Sequence, residues 1–138
     1  MGKSYIKTVN SNATSVLANS VVPIGTTLTI GYDKPNIERV GNSILIHDRC
    51  ANGYKVTANV TFTAPVAGTI TLVIQQNSSN IPGATASTTI TTANTEVRNL
   101  SFSTIIRTTC GSIDDVINLA TGSLAITTSN VEFDIVRL

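Results

Sequence analysis

The stretch GYKVTANVTFTAPVAGTITLVIQQNSSNIPGATAS, residues 53–87, decides the fold. In its first part, one side of the pattern consists of Tyr54, Val56, Ala58, Val60 and Phe62. Polar residues and threonines fill the alternate positions, and this period of two is typical of a strand with one buried side. After a turn at residues 65–68 the pattern resumes, with inward Ile70, Leu72 and Ile74 and outward Thr69, Thr71, Val73 and Gln75. The stretch therefore predicts a central β-hairpin.

Short strands separated by turn residues are predicted on both sides of this hairpin. Their ranges are 15–22, 27–32 and 43–47 before it, and 84–92, 96–108, 116–120, 123–128 and 131–136 after it. Loops are predicted at residues 77–80 and at Pro82-Gly83. About ten strands without a helix indicate an all-β, two-sheet antiparallel sandwich or jelly roll. The length of 138 residues indicates one domain, which we place at residues 16–138.

The composition supports the same fold class and excludes several functions. The chain has 22 Thr, 16 Ile and 13 Val, together 51 of 138 residues, and these β-branched side chains favour sheets. Charged residues make up only 12%, against about 25% in an average domain, and the net charge is +1. Such a chain lacks the basic surface of a nucleic-acid-binding protein. Solubility must depend on its hydroxyl and amide groups, which include 13 Ser and 13 Asn.

The beginning of the chain has little pattern. It lacks the apolar segment of a signal peptide, and no apolar run approaches the 18 or so residues of a membrane span. We therefore expect synthesis in the cytoplasm without secretion or membrane insertion. Residues 1–15 are interpreted as an N-terminal arm. Since free arms fray, we expect a neighbouring subunit or a larger assembly to hold it, with Met1, Lys3, Tyr5 and Lys7 as the candidate anchor residues.

The sequence contains few residues that are suited to catalysis. His47 is the one histidine, so any Ser–His–Asp or Cys–His mechanism would need it as the base. It precedes Asp48 and Cys50, but a histidine at a strand end beside a turn is the simpler interpretation. A metal site at His47, Cys50 and Cys110 has no supporting ligand spacing. We expect no enzyme activity, no metal and no cofactor.

Two further pairs of residues leave alternatives open. Asp114-Asp115 is compatible with a calcium ligand pair, although a surface turn is the favoured interpretation. Cys50 and Cys110 fall at the same end of an alternating strand arrangement, which permits a disulfide. The alternative is two reduced thiols, because a chain without a signal peptide folds in a reducing compartment.

The stretch at residues 53–87 also resembles a known family. Gly53-Tyr54 followed by Val56, Ala58 and Val60, a glycine-containing turn, and then Ile81-Pro82-Gly83-Ala84 resemble the jelly-roll domains of tumour necrosis factor (TNF) and the complement globular heads. The versions in bacteriophage and prophage structural proteins are more similar still. The resemblance continues through Leu100-Ser101-Phe102, Cys110-Gly111 and the ending Phe133–Leu138, and so covers roughly residues 40–138.

The resemblance implies a TNF-like jelly roll of ten strands that assembles as a homotrimer with a structural or binding role. We therefore expect a phage virion structural protein, such as a capsid decoration, head-fibre or tail-tip component. Its partners would be its own copies and other capsid or tail proteins, and its location the virion, after synthesis in the host cytoplasm. The alternative is an adhesion module whose outward Thr, Asn and Gln residues bind host surface glycans, although aromatic residues are only 4% of the chain.

Overall fold

A computed structural model describes residues 4–31, 37–47, 53–110 and 114–138. The regular elements in these ranges are eleven β-strands, whose bounds are Tyr5–Asn10 (β1), Thr14–Val16 (β2), Thr26–Ile30 (β3), Ile37–Val40 (β4), Ser43–Ile46 (β5), Gly53–Thr63 (β6), Gly68–Gln76 (β7), Ser79–Ile90 (β8), Arg98–Arg107 (β9), Asp115–Thr121 (β10) and Ile126–Arg137 (β11). No helix of the described residues is long and apolar enough to cross a membrane.

The strands form two antiparallel sheets. The first has the order β3-β1-β11-β6-β9, with β2 paired to one end of β11, and is called the β6 sheet. The second has the order β4-β5-β10-β7-β8 and is called the β7 sheet. This arrangement confirms the predicted all-β sandwich of two antiparallel sheets.

The core lies between the two sheets and follows the predicted alternation. Side chains from β6, β7 and β11 fill it, and the fully buried ones include Phe62, Leu72 and Phe133. Burying one such side chain contributes about 1.5–3 kcal/mol. The inward residues predicted for β6 are all buried: Tyr54, Val56, Ala58, Val60 and Phe62.

The predicted central hairpin is wrong, although its two strands and their inward faces are right. β6 pairs with β11 and β9, whereas β7 pairs with β10 and β8 in the other sheet. The connection at residues 64–67 therefore crosses from one sheet to the other. Alternation shows which side of a strand is buried, but two strands facing each other across a core have the same pattern as two strands side by side.

The N-terminal residues are part of the sandwich, so the interpretation of residues 1–15 as an arm is wrong for the strands β1 and β2. β1 pairs with β11 along its whole length and with β3 on its other side. Its inward residues are Ile6, Thr8 and Asn10, all buried. The Thr8 hydroxyl donates to the Phe133 carbonyl at 2.8 Å, and the Asn10 amide donates to the Pro23 carbonyl at 3.2 Å. These polar inward residues hid the strand pattern.

The loop predicted at Pro82-Gly83 is also wrong, because both residues lie inside β8. The turn before β8 is shorter than predicted. It centres on Asn77 and Ser78, whose φ angles of 54° and 67° give the two-residue turn that suits a tight hairpin. Pro82 is tolerated because β8 is an edge strand, where a missing N–H does not break a ladder on both sides.

Three other strand predictions need correction. The strand predicted at 15–22 is limited to β2, and Val21 forms only an isolated bridge with Ala120. The separate strands predicted at 123–128 and 131–136 are one strand, β11, whose register shifts at Thr128 and Asn130. β4 was not predicted, because its four residues are too few to show a period.

Candidate functional site

The outward side of the β6 sheet, called the β6 outer face, carries an exposed row of three apolar residues and one lysine. Strand register places Tyr5 beside Val136, Val136 beside Lys55, and Lys55 beside Ile105. Ile105 is 64% exposed, Val136 41% and Tyr5 40%. Leu138, 48% exposed, continues this apolar end of the face, since its N–H donates to the Gly53 carbonyl at 2.9 Å. Exposed apolar residues grouped on one sheet face are typical of an interaction surface.

The backbone holds Tyr5 in this row. The Gly31 N–H donates to the Tyr5 carbonyl at 2.9 Å, and the Tyr5 ring lies directly over Gly31. A Cβ at position 31 would clash with Cε1 of the ring, so only glycine allows this close approach. The ring is therefore positioned on the face by contact with Gly31, the residue after β3.

The next two rows of the β6 outer face hold its acidic residues. Asp134 lies between Lys7 and Thr57, and Glu132 lies between Val9 and Asn59. Lys7 Nζ is 3.4 Å from Glu132 Oε2. Burial, together with the hydrogen bond and charge of Glu132, raises the pKa of Asp134 to about 7. Interaction with Asp134 is the largest cause of a lowered pKa of Glu132, and Lys7 acts in the same direction against burial.

The far end of the face is a neutral network of amides and hydroxyls. The Asn99 amide donates to Asn59 Oδ1 at 2.8 Å and to Thr61 Oγ1 at 2.9 Å. The Ser101 hydroxyl donates to the same Asn59 oxygen at 3.0 Å. These groups satisfy one another, which lowers the cost of removing them from water at an interface.

The structure places two of the four predicted anchor residues on this face. Tyr5 and Lys7 are there, whereas Met1 and Lys3 lie outside the described residues. Their role as anchors stays a prediction. Sequence reasoning missed Ile105 and Val136. Each is an apolar residue at an outward position of its strand, which was the available signal, but only the sheet order brings them into one row.

His47 connects three strands of the β7 sheet through contacts with two carboxylates. Its Nε2 is 2.8 Å from Glu38 Oε1 on β4, and its Nδ1 is 2.7 Å from Asp114 Oδ2 just before β10. The two carboxylates contact opposite ring nitrogens, and no group of acidic, histidine or cysteine side chains in the described ranges has a metal-binding arrangement. Asp48 and Cys50, its neighbours in the motif, lie outside the described residues.

This arrangement predicts a pH-dependent contribution of His47 to stability. The hydrogen bond with Glu38 is the largest cause of a raised His47 pKa, and the contacts with Asp114 act in the same direction against burial. The contribution is therefore complete below the unfolded-state pKa of about 6.5 and is lost as the pH rises through the folded-state value. In urea unfolding, the free-energy difference between the wild type and His47→Gln should be larger at pH 5.5 than at pH 9. Equal differences at both pH values would show that the ion pairs do not stabilise the fold.

Asp115 is buried and serves the fold, which overturns the interpretation of Asp114-Asp115 as a surface turn. Its Oδ2 accepts from the Thr109 N–H at 2.7 Å, and its Oδ1 accepts from the Thr109 hydroxyl at 2.7 Å. Oδ1 also accepts from the Asn77 amide at 2.9 Å and the Gln76 amide at 3.1 Å. Burial opposes the charged form, but the hydrogen bonds outweigh it and lower the pKa of Asp115. The neighbouring carboxylate of Asp114 bonds to His47 Nδ1.

The disulfide between Cys50 and Cys110 stays a prediction, because Cys50 lies outside the described residues.

A groove of about 270 Å³ lies on the outward side of the β7 sheet. Its floor contains a cross-strand row of Val21, Ala120, Val73 and Thr85. Val73 points outward as predicted but is only 6% exposed within this row. The walls include amide side chains, among them that of Gln75, which donates to Asn80 Oδ1 at 2.9 Å. All the lining residues are uncharged, which suits a neutral, hydroxyl-rich ligand.

Comparison with known proteins defines the fold as a TNF-like jelly roll. No family model matches the chain, and no curated protein matches it by sequence. Among solved structures, Eiger TNF from S. frugiperda matches with a TM-score of 0.66 and 13% identity, over 99% of this chain and 91% of that one. The globular domain of zebrafish complement 1qA protein matches with a TM-score of 0.60 and 8% identity, over 95% and 94%. The PRD1 vertex protein P5 matches with a TM-score of 0.58 and 11% identity, over 100% and 99%.

Proposed function

We propose that this chain is a phage virion structural protein that forms a homotrimer through its β6 outer face. The observation that carries the proposal is the exposed apolar row of Tyr5, Val136 and Ile105 on an otherwise regular sheet face. A second copy of the chain is the favoured occupant, because the TNF-like domains that this fold resembles are trimeric, and because the far end of the face is a neutral network whose groups satisfy one another's hydrogen bonds.

The fold resemblance supports the proposed number of copies and the proposed location. The jelly roll extends over essentially the whole chain, and the TNF and complement domains that it resembles imply assembly about a threefold axis. The likeness to the vertex protein of phage PRD1 supports a position on the particle surface. A capsid decoration, a head fibre and a tail-tip component all fit this position.

The location is tested on assembled particles. An antibody raised against the purified chain is applied to phage particles from the source of the gene, and the label is located by electron microscopy. We expect label on intact particles at regularly repeated positions. A particle preparation without label and without peptides of this chain in mass spectrometry would overturn the virion assignment.

Glycan binding is the second candidate function, and the neutral groove of the β7 sheet favours it. The groove presents amides and hydroxyls beside an apolar floor at Val21 and Val73, a combination that suits the mixed faces of a sugar ring. Binding of any member of a glycan array, lost on Gln75→Ala and kept on Ile105→Arg, would support this function. An array without binding would leave only the structural role.

A further inference from the structure

The Glu132–Asp134 pair is the unusual feature of the proposed interface. The two side chains are two positions apart on β11 and on the same side of the strand, so their carboxyl groups are neighbours on the β6 outer face, where Lys7 Nζ is 3.4 Å from Glu132 Oε2. A carboxylate is only an acceptor, so two of them can share a hydrogen bond only when one holds a proton. Two carboxyl groups that are neighbours on a strand are therefore favoured in the state that holds one proton between them.

The groups around the pair compensate its negative charge only in part. The charged groups on the neighbouring strands are Lys7 on β1, directly beside Asp134, and Lys55 on β6, one row along. Lys7 contacts Glu132, and Asp134 Oδ1 is buried with no hydrogen-bond partner among the residues that the structure describes. Across from Asp134 on β6 and β9 the side chains are Thr57 and Ser103, which carry no charge. With both carboxylates ionised, the pair would carry one more negative charge than Lys7 neutralises.

We propose that copies of this chain take up protons at the Glu132–Asp134 pair when they associate through the β6 outer face, so that assembly tightens as the pH falls. The inference rests on the proposed homotrimer. Covering the face removes water from the pair, which disfavours the doubly ionised form, and brings further copies of the same negative charge closer. The assembled state therefore binds more protons than the separate protomers.

The sign of the effect follows from linkage. Because burial and Glu132 already raise the pKa of Asp134 to about 7 in one protomer, a further increase on assembly falls in the range above pH 6. Where the assembled state holds more protons, the association constant falls as the pH rises. We expect it to fall by roughly tenfold or more between pH 6 and pH 8.

The experiment is sedimentation velocity of the full chain over a concentration series, at pH 6, 7 and 8 and constant ionic strength, with circular dichroism to monitor folding. Asp134→Asn, which is neutral at every pH, should associate equally well at pH 6 and pH 8. Glu132→Gln, which removes the partner carboxylate, should shift the pH dependence to lower values. His47→Gln is the matched control, because it removes another group with a raised pKa, on the other sheet, and it should keep the wild-type dependence.

The outcomes separate this inference from the proposed function. Association that is equally strong at all three pH values overturns proton uptake and leaves the homotrimer standing. A folded wild-type monomer at every pH overturns the homotrimer and, with it, the inference. A pH dependence that persists unchanged in Asp134→Asn also overturns the inference, because it would assign the proton to another group.

Discussion

Ile105→Arg is expected to convert the assembled protein into a folded monomer. Ile105 is 64% exposed in the protomer, so the larger side chain can be accommodated without disturbing the core. The new cation would lie beside Lys55, and between exposed groups such repulsion costs less than about 1 kcal/mol. When this arginine is buried between two copies without a partner, it should weaken their association by about 3–5 kcal/mol. That cost corresponds to association that is weaker by at least roughly 100-fold. Light scattering after size-exclusion chromatography measures the resulting change in molar mass.

The matched control is Val40→Arg. Val40 is 50% exposed on β4, at the edge of the opposite sheet, and receives the same added charge and length. It should keep the wild-type mass. Equal loss of assembly in both variants would indicate a general effect of charge, and wild-type assembly in Ile105→Arg would place the contact between copies elsewhere on the molecule.

Asp115→Asn should cause a large loss of stability for a single polar substitution, about 2–4 kcal/mol at pH 7. The carboxylate binds the turn after β7, through Gln76 and Asn77, and the residues after β9, through Thr109. An asparagine has one acceptor oxygen instead of two, and its NH₂ group would face donors that already point inward. The free energy of unfolding in urea measures the loss.

The contribution of Asp115 to stability should also depend on pH. Because the hydrogen bonds lower its pKa in the folded state, its contribution is present above the unfolded-state pKa, near 4, and is lost as the pH falls through the folded-state value. The difference between wild type and Asp115→Asn should therefore shrink in strong acid. Asp114→Asn is the comparison variant at the adjacent, less buried position, and it should lose clearly less stability at pH 7. Similar losses in both would contradict the structural role assigned to Asp115.

The sequence predicted the strands of the core better than their partners. The alternation from Tyr54 to Phe62 is strict because every inward residue is apolar, and the structure buries all of them. It could not show that β6 and β7 belong to different sheets, since facing strands and paired strands share the same alternation. β1 was missed for another reason. Thr8 and Asn10 are buried with their hydrogen bonds satisfied, and buried polar residues look like outward ones in a sequence.

Only some residues of the candidate site were predicted from the sequence. Tyr5 and Lys7 were selected as parts of an arm, whereas they belong to the face because β1 pairs with β11. Ile105 and Val136 are 31 residues apart along the chain and become neighbours of Lys55 only through the register of β6 with both partner strands. The contacts of His47 with Glu38 and Asp114 likewise depend on β5 lying between β4 and β10. Local pattern contains none of this long-range information.

The molar mass of the wild-type chain in solution tests the central claim most directly. Sedimentation equilibrium at pH 6, at roughly ten micromolar chain, would detect an association of micromolar or tighter affinity. The homotrimer predicts a mass of three times 14.5 kDa. A single folded species of 14.5 kDa would contradict it.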